Sequence, residues 1–238
     1  MDGVSIITCT IRRRQLENIF NNYNRQICEN KELIIILNKA NMSLNRWKRI
    51  ARKHNNVFVY KLPDLTLGAC LNFGIEKAKH PNIAKFDDDD YYSPKYLTQA
   101  LDALANTEAS VVGKMSVSTY FQGRELLAIR KPNNENCYLQ GVGINAPHLG
   151  GGTLVWKKSL YPDVGFPNKN LGEDVFFQVN CEQKGYKIYS TDSNYYVSIR
   201  QRDKRKHTWK SSDKRVLKES EVVAYTDDFI PYIGGVEE

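Results

Sequence analysis

Four aspartates in a row, Asp87 to Asp90, follow an apolar-rich stretch, Asn82 to Phe86, and lead into Tyr91-Tyr92-Ser93-Pro94. Four adjacent carboxylates repel one another unless something positive is bound. If the chain stays extended there, side chains alternate, so Asp87 and Asp89 share one face and Asp88 and Asp90 the other. One such pair can face a cation, and all-oxygen ligation suits a hard ion, Mn2+ or Mg2+, which keeps waters and bridges to substrate phosphates. The chemistry implied is that of a metal-held diphosphate. A hydrated acidic turn that merely caps the next helix is the competing reading, and the position directly after a buried strand weighs against it.

A second acidic pair heads an apolar helix in Gly172-Glu173-Asp174. The helix dipole stabilises ionised carboxylates there. Capping alone would explain the pair, but transfer onto a hydroxyl also needs a carboxylate to take the proton. Asp174 is the candidate base, and Glu173 the candidate support for the loop or the acceptor. His207 lies in a basic stretch and could complete a cation site begun by Asp89. His54, His80 and His148 have no evident partners.

Composition sets the frame for these sites. The chain has 238 residues, 41% of them hydrophobic, enough for one sizeable core, and we expect one domain. The longest apolar run, Leu33 to Leu37, is strand-sized and far below the ~20 residues of a membrane span. The first residues lack the basic start and apolar stretch of a signal peptide, so a cytoplasmic location is expected. Five widely spaced cysteines without a C-x-x-C read as reduced thiols. Basic residues outnumber acidic ones, 34 to 27, and much of the net +7 falls between Arg200 and Lys218. That segment reads as a solvated face, a diphosphate clamp, an anionic-lipid contact or a nucleic-acid patch.

The elements that must position the carboxylates follow from periodicity. Val4 to Thr10 reads as a strand, and Leu16, Ile19, Phe20 and Tyr23 recur at helical spacing. Glu32 to Leu37 is almost wholly apolar, as a strand covered on both faces should be. Ser43 caps a helix to about His54, Val57 to Leu62 is a strand, and Thr66 caps a helix to Lys79. Asn82 to Phe86 is a fourth strand, and Ser93-Pro94 opens a helix to about Ala105. Alternation at this pitch predicts an α/β domain with a mainly parallel central sheet flanked by helices. Beyond it, Ala109 to Val117 and Thr119 to Arg130 read as β-ribbon additions with a turn at Gly123. Residues 131–150 read as a long loop of the kind that forms lids. Thr153 to Lys157 is a strand, Glu173 to Lys184 a helix ended by Gly185, and Tyr186 to Ser190 a strand. A helix is predicted from about Asp213 to Tyr225.

In order and spacing these motifs resemble the inverting family 2 glycosyltransferases, which have the GT-A fold, a Rossmann-like fold for nucleotide-diphospho-sugars. Val4 to Arg13 is similar to the family's first strand and its V-S-V-I-I-P-T-Y-N-R turn. Thr10 and Arg13 are retained, while Cys9, Ile11 and Arg12 replace proline, tyrosine and asparagine. The second strand ends in Asn38 where the family has the aspartate that grips uracil. Leu67 to Ile75 resembles the A-R-N-x-G-I helix near the nucleotide, with Asn72 and Gly74 matching. Asp87 to Asp90, with Tyr92 and Pro94, matches D-x-D-D-x-Y-x-P. Gly151-Gly152-Thr153 resembles the strand ahead of the acceptor site, and Gly172-Glu173-Asp174 the G-E-D base motif.

The resemblance implies an inverting, metal-dependent transfer of a hexosyl type from a nucleoside-diphosphate sugar, most naturally a UDP-sugar, to an acceptor hydroxyl. It implies Asp89 as principal metal ligand, assisted by Asp87 and His207, and Mn2+ or Mg2+ as cofactor. Thr8, Thr10, Arg13, Asn38, Asn72, Asp87 and Asp88 would bind the donor. Asp174 would be the base, Glu173, Gly151 and Gly152 would support acceptor and loop, and Arg202, Arg205 and Lys206 would close over the diphosphate as a lid. Residues 1–212 are expected to form the transferase domain, as a nucleotide-binding half (1–105) and an acceptor half with the basic lid (106–212), followed by a helical or flexible tail (213–238). The expected acceptor is a glycan or lipid-linked glycan of the kind used in bacterial surface glycan synthesis, with peripheral membrane contact and no specific nucleic acid. The alternative from another class is a GT-A-fold protein that binds a nucleotide-sugar or glycan without transferring it. A nucleotidyltransferase is disfavoured because Thr8 to Arg14 holds no glycine for a phosphate loop.

Overall fold

The computed structural model of the chain describes residues 2–203 and 210–234. Its first half is built as the periodicity predicts. Strand β1 (Val4–Thr10) leads into α1 (Leu16–Arg25), β2 (Lys31–Leu37) into α2 (Leu44–Ala51), β3 (Val57–Lys61) into α3 (Leu67–Lys77), and β4 (Asn82–Lys85) through the acidic turn towards α4 (Tyr96–Asn106). Ser43 and Thr66 cap α2 and α3 by accepting from the N–H groups of Arg46 and Ala69. Ser93 does not cap α4. The helix begins at Tyr96, whose N–H bonds the Ser93 carbonyl, and the Ser93 hydroxyl is buried instead.

The second half supplies shorter pieces: β6 (Val111–Gly113), β7 (Val117–Phe121), β8 (Leu126–Arg130), β9 (Cys137–Tyr138), β10 (Val155–Lys157), α5 (Glu173–Gln183), β11 (Ile188–Ser190), β12 (Tyr196–Arg200), α6 (Asp213–Lys218) and β13 (Ser220–Tyr225). A two-residue strand, β5 (Tyr91–Tyr92), directly follows the aspartates. The predicted helix from 213 to 225 is therefore a short helix and then a strand. Ser220 to Tyr225 pairs antiparallel with β8, and its Val-Val pair and Tyr225 suit a strand better than a helix. The long loop, too, is less free than expected: it holds β9, which pairs with β11, and it buries Leu139, Val142 and Leu149.

The strands form two sheets, β3-β2-β1-β4-β10-β6-β11-β9 and β13-β8-β7-β12-β5. In the larger one β3, β2, β1 and β4 are parallel, and β10 is inserted antiparallel between β4 and β6. Alternation along the central strands sends Leu33, Ile35 and Leu37 to one core and Ile34 and Ile36 to the other. The first core joins α1, α2 and α4, and the second joins α3, α5 and Trp156. At Gly74 a Cβ would meet Ile7 at 2.7 Å, so the absent side chain lets α3 approach β1 closely. No helix among the described residues is long and apolar enough to cross a membrane.

Candidate active site

The chain enters the aspartate run from β4 of the large sheet and leaves it into β5 of the small one, so Asp87 to Asp90 lie where the two sheets meet. Residues 88–90 form a turn rather than extended chain, yet burial still alternates: Asp88 and Asp90 are buried and Asp87 and Asp89 half-buried. The buried pair serves the fold. Asp88 accepts from the Thr10 hydroxyl at 2.5 Å and from Arg12 Nη1 at 2.5 Å. Burial first, then repulsion from Asp89, pushes its pKa up to about 7 against the pull of Arg12 and Thr10. Asp90 accepts from the Tyr196 hydroxyl at 2.5 Å and the Ile199 N–H at 2.9 Å, and burial raises it well above the carboxylate range. Asn18 and Asn22 donate to the carbonyls of Asp88 and Asp90, which pins the turn to α1.

The accessible pair also has company. Asp89 forms an ion pair with Arg12 at 2.7 Å. Asp87 pairs with Lys85, whose side chain is only 5% exposed at the end of β4. Burial disfavours the Lys85 charge, but Asp87 and then Glu173 and Asp174 outweigh it and raise its pKa. Periodicity passed over both cations, although a lysine ending an apolar strand beside carboxylates was a readable signal.

The base motif comes to the same place. Gly172 takes a left-handed conformation, φ 74°, and so lets α5 begin with Glu173 and Asp174 in its first turn. The Gln178 side chain, wholly buried, both accepts from and donates to the Leu149 backbone, at 2.7 and 3.1 Å, and so ties α5 to the segment that ends in Gly151-Gly152. A Cβ on Gly151 would run into the Asp174 carboxylate. One on Gly152 would stand 2.9 Å from Asp87 Oδ2 and 2.6 Å from the Tyr196 hydroxyl. The two glycines thus form a bare strip of backbone with the candidate base on one side and the aspartate run on the other. The Tyr92 hydroxyl donates to the Gly152 carbonyl at 2.6 Å and fixes the strip. Glu173 beside it is buried, and burial chiefly raises its pKa to about 7 despite Lys85.

The other expected residues are placed as follows. Thr8 is buried within β1, and Thr10 is spent on Asp88. Arg13 is exposed and donates to the Asn41 carbonyl. Asn38 donates to the Leu65 carbonyl at 2.9 Å and to Cys70 Sγ at 2.6 Å. Asn72 is bonded both ways to the Phe166 backbone, at 2.8 and 2.9 Å, and fastens the segment before Gly172 to α3. Arg202 is exposed beside the Gly123 turn. Arg205, Lys206 and His207 lie outside the described residues. Tyr196 and Gln178 carried no sequence signal, because their roles arise only from long-range pairing.

Comparison with known proteins agrees with this geometry. The profile described as glycosyl transferase family 2 matches residues 5–155, a span that takes in the aspartate run and both glycines but stops short of Asp174. No curated protein matches the chain. Among solved structures, S. aureus TarS 1-349 is similar at 17% identity with a TM-score of 0.64, over 83% of this chain and 60% of that one. The same fragment in complex with UDP-GlcNAc gives 16% and 0.61, over 84% and 59%. The mannosyltransferase PcManGT from Pyrobaculum calidifontis, in complex with GDP-Man and Mn2+, gives 15% and 0.62, over 86% and 58%. The fold is that of these GT-A proteins. The chain spans about 60% of the length of the TarS fragment.

Proposed function

The chain belongs to glycosyl transferase family 2, and on that footing we propose that it is an inverting glycosyltransferase, cation-assisted, which moves a hexosyl group from a UDP-sugar to an acceptor hydroxyl. The observation that carries the reading is the convergence of Asp174 and Asp87 on the Gly151-Gly152 strip. A sugar laid against bare backbone there has a base on one side and the donor carboxylates on the other. Asp174 takes the proton of the acceptor hydroxyl, and a single displacement inverts the anomeric carbon. Asn38 fits a base with a ring N–H, uracil among them: its amide hydrogens are engaged by Leu65 and Cys70, which leaves its carbonyl as the acceptor it can offer.

The donor set fits a hard divalent ion. Asp87 and Asp89 are the half-buried carboxylates of the run, hard oxygen donors that suit Mn2+ or Mg2+ completed by phosphate and water. Bound there, the ion would neutralise charge on the departing diphosphate. The acceptor we propose is a glycan or lipid-linked glycan, and the net charge of +7 suits its presentation at an anionic membrane face.

Calorimetric titration of UDP, with GDP and dTDP for comparison, into wild type and Asp89→Ala with and without Mn2+ tests the reading. Mn2+-dependent UDP binding that Asp89→Ala loses is the expected result. Absence of any diphosphate binding to wild type would overturn it.

A further inference from the structure

The turn after β1 carries a cation that the proposed chemistry does not use. Arg12 is half-buried, with its side chain 15% exposed, and Nη1 reaches Asp88 at 2.5 Å and Asp89 at 2.7 Å. It stands at the carboxyl end of a parallel strand, the edge where open α/β sheets receive anionic ligands.

Its position is held from beneath. The Thr10 hydroxyl accepts the Arg12 N–H at 3.0 Å and donates to Asp88 at 2.5 Å, so Thr10, Arg12 and Asp88 close a small ring. Asp88 is buried and cannot follow a ligand, which makes it an anchor for the guanidinium. Asp89 is the accessible partner, and it is also the carboxylate to which the proposed ion would bind.

Charge accounting points the same way. Lys85 is the other cation paired within the run, but it is nearly inaccessible and committed to Asp87. Arg13 donates to the Asn41 carbonyl and Arg202 lies beside the Gly123 turn. Arg12 is the described cation paired with the accessible Asp89, and 15% of its side chain is exposed. A guanidinium also presents a planar fork of donors that matches phosphate oxygens, whereas an ammonium acts as a point charge.

Resting on the proposed donor site, we infer that Arg12 is a donor-binding residue: held by Asp88, its guanidinium contacts the diphosphate and gives nucleotide binding a component that needs no divalent ion. With a divalent ion held at Asp89, the guanidinium could turn from that carboxylate to the phosphate, while Asp88 would keep it in place. Thr10 and Asp88 then serve the donor by aiming Arg12 rather than by touching the nucleotide.

The test is UDP titration of the full chain in EDTA and in Mn2+, with wild type, Arg12→Asn and Arg12→Lys. Wild type is expected to bind UDP in EDTA, and Arg12→Asn to weaken that binding by about tenfold or more while Mn2+-dependent binding survives. Arg12→Lys keeps the charge over Asp88 without the fork and should fall between them, so it carries the comparison if thermal melting shows Arg12→Asn to be misfolded. The inference fails if wild type binds only with Mn2+, or if Arg12→Asn binds as wild type does in EDTA. It also fails if Arg12→Asn binds more tightly in Mn2+ with no loss in EDTA, since Arg12 would then be a plug. Failure of the donor site itself looks different: no nucleoside diphosphate binds wild type in either condition.

Discussion

The segment through Asn106 and the segment beyond it reach the active site by different routes. The first brings its charges already paired: Asp88 and Asp89 with Arg12, and Asp87 with Lys85, all from within residues 12–89. The second brings Gly151-Gly152, Asp174 and Tyr196, which acquire a site only by docking on the first. The joint between them is polar and buried: Tyr196 and Ile199 on Asp90, Tyr92 on Gly152, and the Tyr96 hydroxyl on the Thr153 carbonyl at 2.8 Å. If Asp174 is the base as proposed, donor binding should be separable from transfer, because the first segment holds the aspartate run and the second holds the base.

Removing the base should expose that separation most sharply. Asp174→Asn is expected to lower kcat by about a thousandfold, as for loss of a general base, while calorimetry shows unchanged UDP binding. Retained kcat would shift the base to another group and break the division of labour.

Cutting the joint comes next. Asp90→Ala strands the buried Tyr196 hydroxyl and Ile199 N–H, and should cost about 3 kcal/mol in urea unfolding. A loss no larger than that of Tyr196→Phe, about 1 kcal/mol, would mean that the segments are held together elsewhere.

The smallest effect concerns Glu173, where the two segments meet beside Lys85. Its folded pKa is raised from 4.5 to about 7, so between those values the folded state keeps a proton that the unfolded chain has released. The stability it contributes is full below about pH 4.5 and is lost as pH rises through 7. Glu173→Gln should therefore match wild type near pH 4.5 and be more stable by about 3 kcal/mol at pH 8. Equal pH dependence of the two proteins would show that this carboxyl is not strained by the docking.

What the sequence disclosed divides along the same line. Up to Asn106, β1 to β4 are long enough to declare their period and α2 and α3 carry their own caps, so Ser43 and Thr66 mark true starts. Beyond it, β9 and β10 are two or three residues long and exist because a partner strand is there. Ser220 to Tyr225 holds Val222, Val223 and Tyr225, a local strand signal that the helical reading of 213–225 passed over. Within the site, the alternation of Asp87 to Asp90 was legible as burial although the turn was not. Lys85 left a local trace, and Arg12 stood in plain view within the first turn. Tyr196 left none, since its partner Asp90 is 106 residues away.

The antiparallel insertion of β10 also bears on synthesis. A chain emerging from the ribosome completes β1 to β4 well before Val155–Lys157 exists, so the side of β4 that β10 later covers stays open meanwhile. An unpaired strand edge is a template for a neighbouring nascent chain. Here that edge ends in Lys85 and runs into four carboxylates, and such a charged border deters intermolecular pairing. Residues proposed to serve the ligand in the finished protein would thus also shield the unfinished one from aggregation.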